Sequence, residues 1–223
     1  MNNPVVVISG ATGAAAGSAA RAFAGQAARL ALLSTNQARL DALALELNLP
    51  EERLVTFAAD LGNPDQVKAA AARVYSRFGR ADILLHLVGG WTGGKSLAET
   101  SARELETMLS QHLWTTFHLV QAFTPGMLQN GWGRMIVVSS PLATQPAARM
   151  GAYAIGKASE ETLLLTLAQE VKDSGVTANL IQVKSIDAAG TGKGTAPDEI
   201  TAAMLYLCSD AAARINGARI PLY

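Results

Sequence analysis

A single cysteine, Cys208, stands in the 223-residue chain, which excludes an internal disulfide and a cysteine-based zinc site. Charge of one sign is also missing. The 18 basic residues are matched by 18 acidic ones, so nothing supplies a bulk attraction to nucleic acid or to an anionic membrane. Aromatic residues make up only 5%, which favours closely packed helices over an aromatic-rich binding surface. No apolar run approaches the roughly 18 residues of a membrane span. The first run, Val5–Val6–Val7–Ile8, is of strand length and has no Lys or Arg before it, unlike a signal peptide. No His/Asp/Glu cluster has the spacing of metal ligands. Neither a metal, a nucleic acid nor a membrane is expected as partner, and the lone cysteine fits a cytoplasmic location.

What is present is core-forming material. Apolar residues are 49% and charged residues 16%, a composition that folds around a large interior. The length suits a single domain over residues 1–223. Strand-length apolar runs stand at Val5–Ile8, Leu30–Leu33, Leu54–Ala58, Ile83–Val88, Met135–Val138 and Ala178–Val183, separated by stretches of helical spacing. Buried parallel strands read as such unbroken runs because both sheet faces are covered. The alternation predicts an α/β fold, a doubly wound parallel sheet.

Helix punctuation agrees. Asn63–Pro64–Asp65 reads as an N-cap, a first-turn proline and a first-turn acid, and that helix should stop near Gly79. Pro50 closes the helix holding Leu40 and Leu43, and Pro197 opens the last long one. Residues Ala188–Ala196, with Gly190, Gly192 and Gly194, read as a mobile loop. Ligands of such sheets sit beyond the carboxyl ends of the strands. Chemistry-bearing residues follow each strand in turn: Gly10–Gly13, Ser34–Asn36, Asp60, Gly89–Gly90, Ser139–Ser140 and Ser185–Asp187.

The first of these, Ser9-Gly10-Ala11-Thr12-Gly13-Ala14-Ala15-Ala16-Gly17, links a strand to a helix. Glycines there let the backbone approach a pyrophosphate, and the helix N-terminus offers free N–H groups. A tight strand–helix turn also uses glycine for steric reasons alone. After the second strand an acid would bind a ribose 2′-hydroxyl and repel a 2′-phosphate. Ser34, Thr35 and Asn36 stand there instead, neutral donors that serve NAD or NADP. The balance leans slightly to NADP, since nothing repels the phosphate.

Tyr153 and Lys157 are four residues apart, on one face of a predicted helix from Ala152 to about Asp173. A free phenol, with a pKa near 10, is a sluggish base at neutral pH. A cation about 4 Å away, at an effective dielectric near 20, contributes on the order of 4 kcal/mol. That gives the chemistry a reason to want a lysine one turn from a tyrosine. Ser140, thirteen residues earlier at a strand end, could donate to a substrate carbonyl oxygen, or could simply satisfy local backbone.

Taken in order, Ser9-Gly10-Ala-Thr-Gly13, Ala59-Asp60-Leu61, Phe78-Gly-Arg-Ala-Asp82, Val88-Gly89-Gly90, Gly133-Arg-Met-Ile-Val-Val-Ser-Ser140, Tyr153-x-x-x-Lys157 and Val176-Thr-Ala-Asn179 resemble the short-chain dehydrogenase/reductase family. The resemblance implies a seven-stranded, three-layer Rossmann-type fold, NAD or NADP as cofactor, and a small carbonyl or alcohol substrate. It implies Tyr153 as general acid/base, Ser140 as carbonyl polariser, and Lys157 as the cation that lowers the tyrosine pKa and holds the nicotinamide ribose. It puts Asp60 at the adenine and Gly89 and Gly90 at the adenosine ribose. Thr12, Leu61, Val88 and Ile186 complete the expected cofactor wall. Apolar residues on Leu105–Leu128 and Leu163–Val171 exceed what one sheet face needs, and since these two helices pair across a dyad in the family, the resemblance implies a homodimer or homotetramer.

The departures from the family pattern are specific. Ala14 and Ala16 stand where its last two phosphate-loop glycines fall. His86-Leu87-Val88-Gly89 replaces Asn-Asn-Ala-Gly. His112 takes the place of the catalytic asparagine, as a proton-relay member or as a helix residue packed at a subunit contact. His86 is expected as a hydrogen-bonded core residue, and His118 at the surface or an interface. Val183-Lys184-Ser185-Ile186 replaces the Pro-Gly turn, and the segment after it is short for a lid. Gly89-Gly90-Trp91-Thr92-Gly93-Gly94 is similar to a stretch of dihydropteridine reductase in the same family, where Trp91 could stack on a flat substrate or cover apolar surface. These departures keep open an alternative, a non-catalytic dinucleotide-binding or sensory module.

Overall fold

Strand and helix alternate along the computed structural model, which describes residues 3–223. The strands are β1 (Val5–Ser9), β2 (Arg29–Ser34), β3 (Leu54–Ala58), β4 (Ile83–His86), β5 (Gly133–Ser139), β6 (Val176–Gln182) and β7 (Arg219–Pro221). The helices are α1 (Ala16–Gly25), α2 (Gln37–Leu47), α3 (Pro64–Phe78), α4 (Ala102–Leu109), α5 (Thr115–Gln129), α6 (Gly151–Glu170) and α7 (Pro197–Cys208). All seven strands pair in parallel in the order β3-β2-β1-β4-β5-β6-β7.

Period-2 alternation divides each strand between two cores. Val5 and Val7 pack with α3, α5 and α6 on one face. Val6 and Ile8 pack with α1, α2 and α7 on the other. Both faces are therefore covered, which is why the strands are continuously apolar. The order of the chain reverses between β1 and β4, and the loops leaving these strands border a crevice there.

The helix ends follow their caps. Asn63 accepts from Asp65 and Gln66 N–H groups, Pro64 opens α3, and Gly79 closes it in the left-handed region at φ +75°. Most strand ends shift by a residue or two from the sequence reading, and two boundaries and one strand need a reason. β4 stops at His86, because Leu87 and Val88 leave the sheet to wall a cavity. α6 stops at Glu170, and Asp173 turns left-handed at φ +63°. β7, three residues at the sheet edge, is too short to show as an apolar run. Among the described residues no helix is long and apolar enough to cross a membrane.

The segment after β6, read from its glycines as a mobile loop, carries hydrogen bonds of its own. Ile186 and Thr195 bridge in parallel at its base. Asp187 N–H donates to Thr195 O at 2.9 Å, and Thr195 N–H to Ser185 O at 3.0 Å. The Asp187 carboxylate accepts from Thr191 N–H at 2.9 Å and Gly192 N–H at 2.6 Å, closing the loop on itself.

Candidate active site

Two adjoining cavities occupy the carboxyl ends of the strands. The larger, about 400 Å³, runs from Gly10, Thr12 and Gly13 past Ser34 and Thr35 to Asp60 and Leu61. The smaller, about 170 Å³, lies between Ala14, Val138, Ser139, Tyr153, Lys157 and Ile186. Leu87, Val88 and Gly89 wall both, so the two form one trough. Gly90 lines only the smaller part.

The trough exists because the β1–α1 turn is tight. Gly10 has φ +72°, and a Cβ there would lie 2.7 Å from the Leu87 carbonyl carbon and the Val88 nitrogen. Only glycine lets the two loops pass so closely. Thr12 Oγ1 is 2.7 Å from Ser34 Oγ, tying the turn to the end of β2. Ala14 faces the smaller cavity, whereas Ala16 is fully buried in the α1 core. The two replaced glycines thus have different positions: one at the trough, the other in helix–sheet packing.

Most candidate residues converge on this trough, with three exceptions: Asn36, Ser140 and His112, the last lying behind Tyr153 and outside both walls. Asn36 caps α2, its Oδ1 accepting from Arg39 N–H at 3.0 Å, and is not a wall residue. Ser140 is buried, and its Oγ accepts from Leu142 N–H at 3.3 Å. Ser139 forms the cavity wall at that point. Because Ser140 Oγ is an acceptor in that contact, its own O–H stays free to donate. Asp60 is exposed at the far end, where its Oδ1 accepts from Gly62 N–H at 2.9 Å.

Lys157 is not the isolated cation that the helix spacing suggested. It is buried, and its Nζ donates to Val138 O at 2.9 Å and to the Glu160 carboxylate at 2.7 Å. One N–H of the ammonium is left for the cavity. Tyr153, one turn earlier, is half-buried and faces the same space.

His112 sits in a π-helical turn, Ser110–Trp114, between α4 and α5. Such turns widen a helix by one residue and recur at functional sites. Its ring meets Tyr153 edge-on with centroids 5.5 Å apart. Gly156 makes this approach possible, since a Cβ there would come within 3.0 Å of the imidazole. His112 Nε2 lies 3.2 Å from Gly90 O. A carbonyl only accepts, so Nε2 carries the proton and Nδ1 is a buried acceptor without a partner among the described residues. Burial first, and Lys157 second, push this histidine down to about 3. It is therefore neutral at ordinary pH.

His86 is the hydrogen-bonded core residue expected of it, 2.7 Å from Ser9 Oγ and 3.2 Å from Thr115 Oγ1. Burial pushes it down to about 3 as well. His118 departs from expectation: it is buried, and its Nδ1 lies 2.9 Å from Leu61 O. Trp91 is exposed and outside the walls of both cavities.

A sequence model described as short chain dehydrogenase matches residues 4–198. The chain belongs to the short-chain dehydrogenase/reductase family. It is 31% identical to a D-threitol dehydrogenase of Mycolicibacterium smegmatis, over 98% of this chain and 90% of that one. It is 26% identical to an acetoacetyl-CoA reductase of Allochromatium vinosum, over 76% and 75% of the two chains. A short-chain type dehydrogenase/reductase from Mycobacterium ulcerans superposes with a TM-score of 0.91, at 18% identity, covering 100% of this chain and 89% of that one. A short chain dehydrogenase from Bacillus anthracis gives 0.89 at 24% identity, covering 99% and 95%.

This short-chain dehydrogenase/reductase is an oxidoreductase of a family that uses NAD(P). The trough fits a dinucleotide on its own evidence. Gln111 lines the larger cavity and Ser139 the smaller, and Gln111 Oε1, packed against Gly90, and Ser139 Oγ are buried polar atoms without partners among the described residues. Such atoms call for a polar occupant. Gln111, Arg39 and Glu160 are residues that sequence reasoning missed, and Ser139, read only as a strand-end neighbour of Ser140, is the one that forms the wall. Arg39 walls the larger cavity and an adjoining groove of about 260 Å³. It stands one helical turn beyond the strand end, where no motif points. Glu160 was visible only as a charge three residues from Lys157.

Proposed function

We propose that the chain is an NAD(P)-dependent dehydrogenase/reductase that interconverts a carbonyl and an alcohol, with Tyr153 as general acid/base. The observation that carries this reading is that Tyr153 and Lys157 open onto the small cavity, which is continuous with the larger one at the glycine turn. A bound nicotinamide dinucleotide supplies or accepts the hydride. Gly10, Gly13 and Ala14 line its pyrophosphate path, and the α1 N-terminus favours the negative charge. The free N–H of Lys157 holds a ribose hydroxyl. Ser140 donates to the substrate oxygen as charge grows there, and Tyr153 gives that oxygen its proton in reduction or takes it in oxidation. Ser185 and Ile186 border this space, while residues 188–196 stay out of its wall. A substrate therefore enters from an open side.

NADP is favoured over NAD. Arg39 can reach a 2′-phosphate from the wall, and no carboxylate stands at the end of β2. One domain carries the whole site, supported by the single continuous sheet. The chain works as a homodimer or homotetramer.

Fluorescence titration with NADPH and NADH, followed by a carbonyl panel, tests the reading. Tyr153→Phe is expected to keep nucleotide affinity and to lose roughly 10³-fold in turnover. Unchanged turnover overturns the role of Tyr153. The alternative, a non-catalytic dinucleotide-binding module, draws on Ala14 and on His112 in place of asparagine. It predicts nucleotide binding with no turnover of any panel member.

A further inference from the structure

Glu160 is completely buried, at 0% exposure. Its Oε2 accepts from Lys157 Nζ at 2.7 Å. Its Oε1 accepts from Thr116 Oγ1 at 3.3 Å and stands 3.9 Å from His86 Nε2. The groups facing this pair from the surrounding elements are His86 on β4, His112 in the π-helical turn and Thr116 on α5. Tyr153 and Glu161 share its own helix. Both neighbouring histidines are neutral at ordinary pH, each pushed down to about 3 by burial and by Lys157. Glu161 is engaged elsewhere, accepting from Gln182 Nε2 at 2.8 Å and Arg219 Nε at 2.6 Å. Lys157 and Glu160 are thus left to each other beneath the cavity. Burial pushes the Glu160 carboxyl up while the ammonium opposes it.

A buried ion pair is a poor source of stability, since well-packed apolar groups of similar volume often do as well. Lys157 shares the cavity wall with Tyr153, and that gives the pair a different use. We propose that Glu160 is a positioning residue for the Tyr153–Lys157 pair: its carboxylate holds the ammonium against β5 and balances its charge, so that the phenol stays a proton donor. A protonated phenol is the form that carbonyl reduction consumes, so the pair suits the site to reduction. The proposal rests on the reading of Tyr153 as acid/base.

The test needs neither nucleotide nor substrate. The phenolate absorbance of the free protein is titrated with pH. Subtracting the titration of Y153F isolates one of the four tyrosines. E160Q keeps an oxygen acceptor for Lys157 but removes the opposing charge. Its Tyr153 transition is expected about one pH unit below that of the wild type. A transition that stays in place, or moves to higher pH, overturns the proposal.

A second variant carries the test where E160Q does not fold. K157M/E160L removes both charges, and an apolar pair of similar volume is tolerated. If the charges balance, its Tyr153 transition stays within about half a unit of the wild type. A rise of more than about half a unit means that the ammonium was unopposed, and overturns the proposal. Failure of the functional reading shows separately, as wild-type protein that binds neither NADPH nor NADH.

Discussion

Tyr153, Lys157 and Ser140 were all visible in the sequence, yet the partners that decide their behaviour were not. Ser140 Oγ takes the Leu142 N–H, which leaves its own O–H free to donate. Ser140→Ala is expected to lower kcat about 10²-fold, whereas Ser139→Ala should mainly weaken nucleotide binding. Steady-state kinetics beside nucleotide titrations separate the two, and equal effects on kcat would remove the distinction. His112 carries a pH signature. Its folded pKa of about 3 lies below the ordinary histidine value near 6.5. Between those limits the unfolded chain binds the extra proton, so stability falls as pH drops. One such group contributes up to about 1.4 kcal/mol per pH unit. His112→Asn removes the group, while His86 stays in both proteins and cancels. Between pH 7 and 5 the wild type should lose about 2 kcal/mol more than the variant. Urea midpoints at the two pH values measure this, and equal losses refute it.

At the scale of elements, the β1–α1 turn sets the geometry of the whole trough. Gly10→Ala would demand a strained φ and force apart Gly10 and the backbone of Leu87 and Val88. A stability loss of about 2–4 kcal/mol is expected, with a parallel loss of NADPH affinity. Thermal melts and fluorescence titration read the two, and a variant binding NADPH as the wild type does would show that the turn tolerates a methyl. Helix α3 was legible to the residue because Asn63, Pro64 and Gly79 act locally. The end of β4 was not. Leu87 and Val88 are as apolar as a strand, and only the cavity beside them shows why they leave it. The π-helical turn at His112 was equally hidden, since its extra residue answers to packing against Gly156 and Tyr153.

Across the whole molecule, the two apolar cores leave large apolar side chains uncovered near the start and end of one helix. Trp114 is 49% exposed and Leu128 43%. Self-association is the proposed reason. Sedimentation should show a dimer or tetramer for the wild type and a smaller species for W114E/L128E. A monomeric wild type ends that idea. The zero net charge is in keeping with a protein that meets a small molecule in a crevice rather than a charged polymer across a face. The segment after β6 illustrates the limit of composition at this scale. Three glycines suggested mobility, and composition did not record the hydrogen bonds that Asp187 and the Ile186–Thr195 bridge make within the loop.

Layer order, strand runs, the glycine turn and the Tyr153–Lys157 spacing follow from the sequence alone, because each depends on local periodicity or on neighbours within one helical turn. The joining of two cavities along Leu87–Gly89, the wall position of Arg39, the capping role of Asn36 and the neutrality of His112 came only with the tertiary structure. Each of those depends on groups distant in the chain, or on the removal of water, which no local pattern records. Glu160 spans both levels. Its distance along the chain from Lys157 was written in the sequence, but its charge mattered only once folding had buried it.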